Sequence, residues 1–149
     1  MTSNRAANAY AKVGLESNVA GASPHDLIIM LYQASIASIA KARTQIAAKD
    51  IPGKGASISR AISLIGSGLQ ASLNLEEGGQ IAENLYDLYG YMIQRLTAAN
   101  IGNDVAILAE VESLLGDLLG AWEGIKPQQQ NAFVPQQPSE HAGAGYGRL

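Results

Sequence analysis

The side chains that could do chemistry are few, and their spacing does not suit catalysis. A helical bundle that holds a di-iron centre places a histidine three residues after a glutamate, and neither histidine has that spacing. His25 lies in the first turn of a predicted helix and His141 near the end of the chain, so neither is paired with a base or a nucleophile. The acidic pairs in ranges 76–77 and 110–112 are expected to face solvent. These residues predict no catalytic site, no metal site and no cofactor.

Two glycine-containing stretches also do not predict phosphate binding. "GGQIAE", from residue 78, and "GKGAS", from residue 53, neither follow a predicted strand nor match the pattern GxxxxGK[ST]. The chain has no cysteine, which excludes thiol catalysis, disulfides and thiolate zinc sites. We therefore do not expect an enzyme.

Composition indicates one domain without a nucleic-acid or membrane function. The 149 residues carry ten Lys and Arg against thirteen Asp and Glu, and the basic residues are scattered singly rather than clustered for a phosphate backbone. The longest apolar run, residues 27–40, is interrupted by polar side chains and is too short for a bilayer core of about 30 Å. The first twenty residues lack the apolar block of a secretory signal. We expect a soluble, cytoplasmic protein.

Apolar residues recur at helical spacing in four segments. One example is the row Ile58, Ile62, Ile65, Leu69 and Leu73, with steps of three and four residues. The predicted helices cover about residues 24–49, 56–73, 80–100 and 104–123. Short loops make neighbouring helices antiparallel, so the sequence predicts an all-α, antiparallel four-helix bundle.

The bundle is expected to span residues 23–125, between two segments of different character. Residues 1–22 have weak helical character and predict a short N-terminal helical arm that packs on the bundle or extends from it. Residues 126–149 are rich in Gln, Pro and Gly with little to bury, which predicts a disordered C-terminal tail.

Helix starts and turns have their own sequence signals. Ser23 can cap a helix whose first position is Pro24, and Asp104 can cap the last helix. Asn74 and Gly78–Gly79 are expected to shape the turn between two helices. We assign these residues a structural role and not a contact with a partner.

The first long helix has more apolar surface than a four-helix bundle buries. Residues 27–32 are six consecutive large apolar side chains, so they cover the whole circumference of a helix. A second apolar stripe lies about 140° from the stripe that faces the core. Its members are Ile28, Ile29, Tyr32, Ile36, Ile39 and Ile46. Exposed patches of this size mark interaction sites, so a partner, a second copy of the chain or the N-terminal arm is expected to cover this stripe.

The helix predicted over residues 80–100 is rich in tyrosine. Its core stripe is predicted as Ile81, Leu85, Leu88, Met92 and Leu96. Tyr86 and Tyr89 widen this stripe along one flank, where an apolar ring with a polar tip suits a half-wet surface. We predict that both lie at the edge of the bundle or at the rim of a partner-binding surface, and that Tyr91 faces solvent.

Two blocks of sequence resemble the flagellin-specific export chaperone family FliS. "ASPHDLIIMLY", residues 22–32, is similar to the start of the first long helix in that family, and "LNLEEGGQIAENLYDLYGYMIQRLTAAN", residues 73–100, is similar to the block around its third helix. Tyr10 precedes the first block at a matching distance, and the resemblance covers about residues 10–123. The family commonly has Asp-Gly-Ala after "MLY", where residues 33–35 are Gln-Ala-Ser, which leaves the choice of partner open.

The resemblance implies a cytosolic chaperone that works without ATP. It implies binding of the disordered C-terminal segment of flagellin, protection of flagellin from premature polymerisation, and delivery to the flagellar type III export gate. Ordering a disordered segment costs about 2–5 kcal/mol, which the surplus apolar surface can offset. The flagellin contacts expected on this chain are Tyr10, Ile28, Tyr32, Ile36, Ile39, Tyr86 and Tyr89. Tyr10 either anchors the arm on the bundle or contacts flagellin, and both roles are compatible.

A second hypothesis involves no client. The chain could be a self-associating structural or adaptor bundle whose second stripe forms a homodimer interface. A dimer that keeps its mass when flagellin is added favours this hypothesis, whereas a one-to-one complex with flagellin favours the chaperone.

Overall fold

The computed structural model describes residues 2–12 and 22–125, and within these ranges every regular element is helical. They form α1 (Thr2–Lys12), α2 (Pro24–Ala47), α3 (Ile51–Ser63), α4 (Leu75–Gly102) and α5 (Val105–Glu123). A π-helical segment, Leu64–Leu69, and a 3-10 turn, Gln70–Ser72, continue α3 before the chain reaches α4. The predicted all-α class is confirmed. The tail predicted as disordered, residues 126–149, lies outside the described residues.

The four long helices pack around one core. α2 lies between α3 and α5, and α4 lies between the same two helices on the other side, so α2 and α4 are diagonal. Residues 48–50 and residues 103–104 are the short connections that make successive helices antiparallel. α1 packs against α2 and against residues 64–72, with Ala6 and Ala9 buried.

Side-chain caps begin α2 and α4. The Ser23 hydroxyl accepts a hydrogen bond from the Asp26 N–H at 3.0 Å, and the Asp26 carboxylate accepts one from the Ser23 N–H at 3.4 Å. Pro24 occupies the first turn, where its missing N–H has no partner to lose. The Asn74 side chain accepts from the Glu77 N–H at 3.1 Å. These bonds satisfy N–H groups that the helices themselves leave unpaired.

Gly79 separates the first turn of α4 from the remainder of the helix. Its φ of +58° and ψ of −140° belong to a region in which a side chain is strained. The Gly78 N–H still bonds to the Asn74 carbonyl at 2.8 Å, so the first turn closes before the kink. The two glycines therefore set the direction in which α4 leaves the turn.

α3 begins at Ile51, five residues before the start predicted at residue 56. Much of the segment predicted as a loop, "KDIPGKG", is helical. The Asp50 side chain caps this start by accepting from the Gly53 N–H at 3.0 Å, and Pro52 fits the first turn. Glycine and proline side by side suggest a loop in the sequence, but the cap before them makes the first helical turn favourable.

The last part of the segment predicted as one helix over residues 56–73 is not a regular α-helix. Residues 64–69 form a π-helix that includes Gly68, which lies against Leu31 of α2. A Cβ atom at Gly68 would come within 2.8 Å of the end of the Leu31 side chain, so any larger residue there requires Leu31 to move. Inserted π turns of this kind let a helix change the face that it presents to a neighbour.

The described chain buries three of the six members of the second apolar stripe on α2, and α1, which was one of the three expected covers of the stripe, packs on α2. Ile28, Tyr32 and Ile39 lie in the core and are at most 7% exposed. The reason is that α2 contacts α1, α3, α5 and residues 64–69, which enclose it on more sides than two neighbours could. The other members of the stripe are half-buried, and Ile36 is the member that borders an open groove.

The buried face of α4 matches the predicted stripe only in part. Met92 and Leu96 of the stripe are buried, but Ala82 and Tyr89, which lie outside it, are buried too, and Ile81 of the stripe is 42% exposed. The sequence places Tyr89 at the edge of the bundle, but in the structure it is a core residue. A tyrosine is stable there because its hydroxyl bonds to Tyr32 across the core.

Candidate partner-binding surface

An open groove lies on the surface between α2 and α5, and we call it the α2–α5 groove. Its volume is about 410 Å³, and it is lined by Ile36, Arg43, Ala109, Glu112, Ser113 and Gly116. The lining residues at 109, 113 and 116, together with the exposed Gly120, recur at steps of four, three and four, so they share one face of α5. Ile36 is the large apolar side chain of the lining. The groove is therefore shallow and smooth on the α5 side and apolar on the α2 side.

The glycines of this face are not explained by packing within the described chain. A Cβ atom added at Gly116 or at Gly120 would meet no described atom within 4 Å, and neither residue has a positive φ. A glycine inside a helix costs about 1 kcal/mol relative to alanine. Their effect is to leave the α5 backbone uncovered, where another polypeptide can approach closely.

An ion pair borders the groove at the end near the α2–α3 connection. Nη1 of Arg43 donates to Oε1 of Glu112, which joins α2 to α5. The Arg43 side chain is 41% exposed and that of Glu112 is 23% exposed. A pair with this much exposure contributes at most about 1 kcal/mol to stability. Its main consequence is that the groove has fixed and mutually neutralised charges at this end.

A second polar link joins α4 to α5 at the surface. Glu110 accepts hydrogen bonds from the Tyr91 hydroxyl at 2.5 Å and from Nε of Arg95 at 2.9 Å. These two bonds, that from Tyr91 first, lower the pKa of the Glu110 carboxyl. The same bond to Glu110 raises the pKa of Tyr91. Since the three groups bond to one another, we assign them to holding α4 against α5.

The hydroxyls of Tyr32 and Tyr89 meet inside the bundle. Their oxygens are 2.5 Å apart and connect the diagonal helices α2 and α4. Burial raises the pKa of Tyr32 to about 12, although hydrogen bonds with Tyr89 and Trp122 act in the opposite direction. Burial also raises the pKa of Tyr89 well above its usual value. Both hydroxyls therefore stay neutral at physiological pH, and the pair forms a structural hydrogen bond.

The predicted flagellin contacts do not form a single exposed site. Four of them are buried within the chain: Ile28, Tyr32, Ile39 and Tyr89. Ile36 borders the α2–α5 groove, and Tyr86 is 44% exposed on α4. Because α2 and α4 are diagonal, these two side chains lie on different faces of the bundle. Tyr10 belongs to α1, but its side chain lies outside what the structure describes.

Three large apolar side chains are exposed along the first half of α4. Leu75, Ile81 and Tyr86 are each more than 40% exposed. The Gln70 side chain donates to the Tyr86 carbonyl at 2.9 Å, so the 3-10 turn before α4 holds this part of the helix. Tyr86 is therefore an exposed aromatic side chain on a supported part of the helix, which suits a contact with another protein.

Sequence reasoning identified one wall of the α2–α5 groove and missed the other. Ile36 was predicted because it belongs to the second stripe of α2. The α5 residues of the lining are small or charged, and none of them by itself indicates a binding site. The signal that could reveal them is the repeat of small residues at 109, 113, 116 and 120, on the side of α5 away from its buried row of Leu108, Val111 and Leu115.

Metal and membrane functions find no support in the part of the chain that the structure describes. Residues 2–12 and 22–125 contain no group of three His, Asp or Glu side chains placed to hold a metal ion. None of the described helices is both long enough and apolar enough to cross a bilayer.

Comparison with known proteins identifies the family. The model of the family described as "Flagellar protein FliS" matches residues 6–129. The chain belongs to the FliS family. The FliS resemblance drawn from the sequence is thereby confirmed.

Curated FliS relatives match over most of their length. The flagellar secretion chaperone FliS of Salmonella typhimurium is 46% identical over 120 residues, which cover 80% of this chain and 89% of the relative. FliSB of Pseudomonas aeruginosa is 42% identical over 125 residues, 84% of this chain and 98% of the relative. FliS of Bacillus subtilis is 31% identical over 108 residues, 72% and 79% of the two chains. FliS is a chaperone family of flagellar export, so the predictions of a chaperone role and of a protein that is not an enzyme are confirmed.

Proposed function

We propose that this chain is a cytoplasmic, ATP-independent export chaperone whose client is flagellin. It binds the C-terminal segment of flagellin, prevents premature polymerisation and delivers the subunit to the flagellar type III export gate. Family membership supports the chaperone role in flagellar export. Beyond the family role, we propose that the client is flagellin, that the destination is the type III export gate and that the chain works in the cytoplasm.

The observation that carries the proposal is the α2–α5 groove with Ile36 at its wall. An amphipathic segment can place an apolar side chain against Ile36 while its backbone approaches Gly116 of α5. This surface is not covered by any described residue, so the client does not have to displace α1 to reach it. Ordering a disordered segment costs about 2–5 kcal/mol, which its contacts with the chaperone have to offset. The apolar area of one groove is small for this, so further contacts are expected.

Tyr86 supplies a second contact in this proposal. It lies on α4, diagonal to α2, so a segment that contacts both Ile36 and Tyr86 has to wrap around the bundle. The buried candidates Ile28, Tyr32 and Tyr89 contact flagellin only after part of the chain moves away from them. α1, which carries Tyr10, is the element that we expect to move.

Calorimetry with a flagellin C-terminal fragment tests the proposal. We expect one-to-one binding that Ile36→Asp weakens at least about tenfold, because a carboxylate replaces the apolar contact at the groove. Ile101→Asp is the matched control, since Ile101 is 81% exposed at the α4–α5 connection, away from the groove. Circular dichroism should show unchanged helicity in both variants.

Two outcomes would contradict the proposal. Equal binding by Ile36→Asp and Ile101→Asp removes the groove from the client site, and no binding by the unaltered chain removes flagellin as the client. In sedimentation, a stable dimer whose mass does not change when the fragment is added would favour the self-associating bundle instead.

A further inference from the structure

The α2–α5 groove lies along the last helix of the described chain. α5 ends at Glu123, and Ile125, the last described residue, is buried with 7% exposure. Gly116 lines the groove, and Gly120 follows one turn later on the same face of α5. Residues 126–149 continue from this point, which lies about 13 Å along the chain axis beyond Gly116, the nearest lining residue of the groove.

The C-terminal segment carries one compact apolar group. Phe133 is the single phenylalanine of the chain, and Val134 follows it. Residues 127–139 around this pair contain no charged side chain. The match to the FliS family ends at residue 129, so Phe133 and Val134 lie beyond it. Burying a phenylalanine side chain contributes about 1.5–3 kcal/mol, which gives this pair a reason to find an apolar surface.

The length of the connection allows Phe133 to reach the whole groove. Phe133 is eight residues after Ile125, and eight extended residues span up to about 26 Å. Ala109, the far end of the α5 wall, is fourteen residues before Glu123, or about 21 Å along the helix. A short flexible tether gives an effective concentration of about 1 mM, so a weak intrinsic contact suffices for substantial occupancy.

The groove and the segment are also compatible in chemistry. Ile36 offers an apolar wall, and the uncovered α5 backbone at Gly116 and Gly120 admits a bulky ring without a clash. The charges of the lining already form the pair Arg43–Glu112, so an uncharged segment leaves no charge newly unpaired there. A second copy of the chain offers no apolar group so close to the groove at comparable concentration.

We propose that Phe133 and Val134 occupy the α2–α5 groove in the free chain and that the client displaces them. The groove is thereby protected until a client arrives, and the affinity for the client is set partly by the chain's own C-terminal segment. The part that concerns the client rests on the proposed function, whereas the docking of Phe133 does not.

Paramagnetic broadening in NMR spectra tests the docking in the full chain. Because the chain has no cysteine, Ser139→Cys gives one attachment point for a nitroxide label. We expect broadening of the Ser113 and Gly116 amide signals that Phe133→Ser removes. Tyr146→Ser is the matched control, an aromatic residue of the same segment outside the apolar pair, and it should leave the broadening in place.

Three results would overturn the docking. The Ser113 and Gly116 signals could stay sharp in the labelled chain, or their broadening could persist in Phe133→Ser. In a mixture of labelled chain with unlabelled, isotope-enriched chain, equal broadening would show that a second copy supplies the occupant.

Binding of the flagellin C-terminal fragment tests the competition. If the segment fills the groove for most of the time, its removal should tighten binding about threefold to tenfold, since apparent affinity scales with the fraction of open groove. Phe133→Ser should show this gain and Tyr146→Ser should not. If the unaltered chain, Phe133→Ser and Tyr146→Ser bind the fragment with equal affinity, the C-terminal segment does not compete with the client. Absence of binding in all three overturns the proposed function, while the NMR result still decides the docking.

Discussion

At the scale of single residues, the hydroxyl pair of Tyr32 and Tyr89 is the most specific contact of the core. Each hydroxyl is buried and finds its partner on the diagonal helix, which fixes α2 and α4 in register. Trp122 of α5 adds a hydrogen bond to Tyr32. A buried polar group that loses its partner costs about 1–3 kcal/mol, so this network specifies one packing of the three helices.

Phenylalanine substitutions test this pair. We expect Tyr32→Phe and Tyr89→Phe each to lower the free energy of unfolding by about 1–3 kcal/mol, because each leaves a buried hydroxyl unpaired. Tyr32→Phe should cost more, since Trp122 also loses its acceptor. The double variant should lose less than the sum of the two, by about 1 kcal/mol. Urea denaturation measures all four chains, and additive losses would contradict the pairing.

The same tyrosines predict a loss of stability at high pH. Tyr32 ionises near pH 10 in an unfolded chain and at about 12 in the folded chain, so the folded state keeps the proton longer. This contribution is fully present below pH 10 and is lost as pH rises through the folded pKa, at up to about 1.4 kcal/mol per pH unit. The variant with both tyrosines changed to phenylalanine should show a flatter decline in urea denaturation between about pH 10 and about pH 12. An equally steep decline would contradict this prediction.

At the scale of elements, the helices contain glycines of two physical kinds. Gly79 has a backbone conformation that other residues resist, and the direction of α4 depends on it. Gly116 has an ordinary helical conformation with open space where a side chain would be. The fold requires the first glycine and does not require the second, which connects the second to the groove.

Alanine substitutions separate the two kinds. Gly79→Ala should lower the free energy of unfolding by about 1–3 kcal/mol, because alanine is strained at that φ and ψ. Gly116→Ala should leave it unchanged or raise it by up to about 1 kcal/mol through better helix propensity. Urea denaturation of both variants under one set of conditions makes the comparison. A loss of stability in Gly116→Ala would show that the fold requires that glycine as well.

At the scale of the whole molecule, the five described helices contribute unequally to the core. α2 to α5 supply large buried side chains, whereas the buried side chains that the structure describes on α1 are Ala6 and Ala9. An alanine buries little apolar area, so α1 is held by less free energy than its neighbours. This difference makes α1 the element that can leave the bundle while the core stays folded.

Hydrogen exchange tests this ranking. Amides of α1, Thr2–Lys12, should exchange at least about tenfold faster than those in the middle of α2, because local opening of α1 costs less than opening of the core. Mass spectrometry of peptides from residues 2–12 and residues 27–39 measures both in one experiment. Equal protection would show that α1 opens only when the whole bundle unfolds.

Features that depend on residues close together in the sequence can be predicted from it, whereas features that depend on contacts between distant segments cannot. The caps at Ser23 and Asp104 involve residues three positions apart, so they can be read from the sequence, and the structure has both bonds. Asn74 caps α4 with the same spacing, but the sequence analysis assigned it to a turn and predicted this helix from residue 80, five residues after its start at Leu75. The early start of α3 was missed because the cap at Asp50 precedes a Pro and two Gly residues, which on composition alone favour a loop.

The candidate site was only partly predictable. Ile36 followed from the periodicity of α2, but burial of Ile28 and Ile39 depends on which helices enclose α2, and no periodicity contains that information. Ile81 and Tyr89 point about 80° apart around α4, so the rotation of the helix about its own axis, which its neighbours set, decides that Tyr89 is buried and Ile81 is not. The α5 wall of the groove appears only when two helices are placed side by side.

The sequence by itself determined the class of the fold, two of the four predicted helix starts and the family, since these depend on local spacing, capping groups and long matching blocks. The tertiary structure decided which apolar faces are buried, which tyrosine enters the core and where a groove stays open. The physical reason is that burial is a property of neighbouring helices: a stripe of apolar residues states that a face can be buried, and the position of α1, α3 and α5 around α2 determines which faces are.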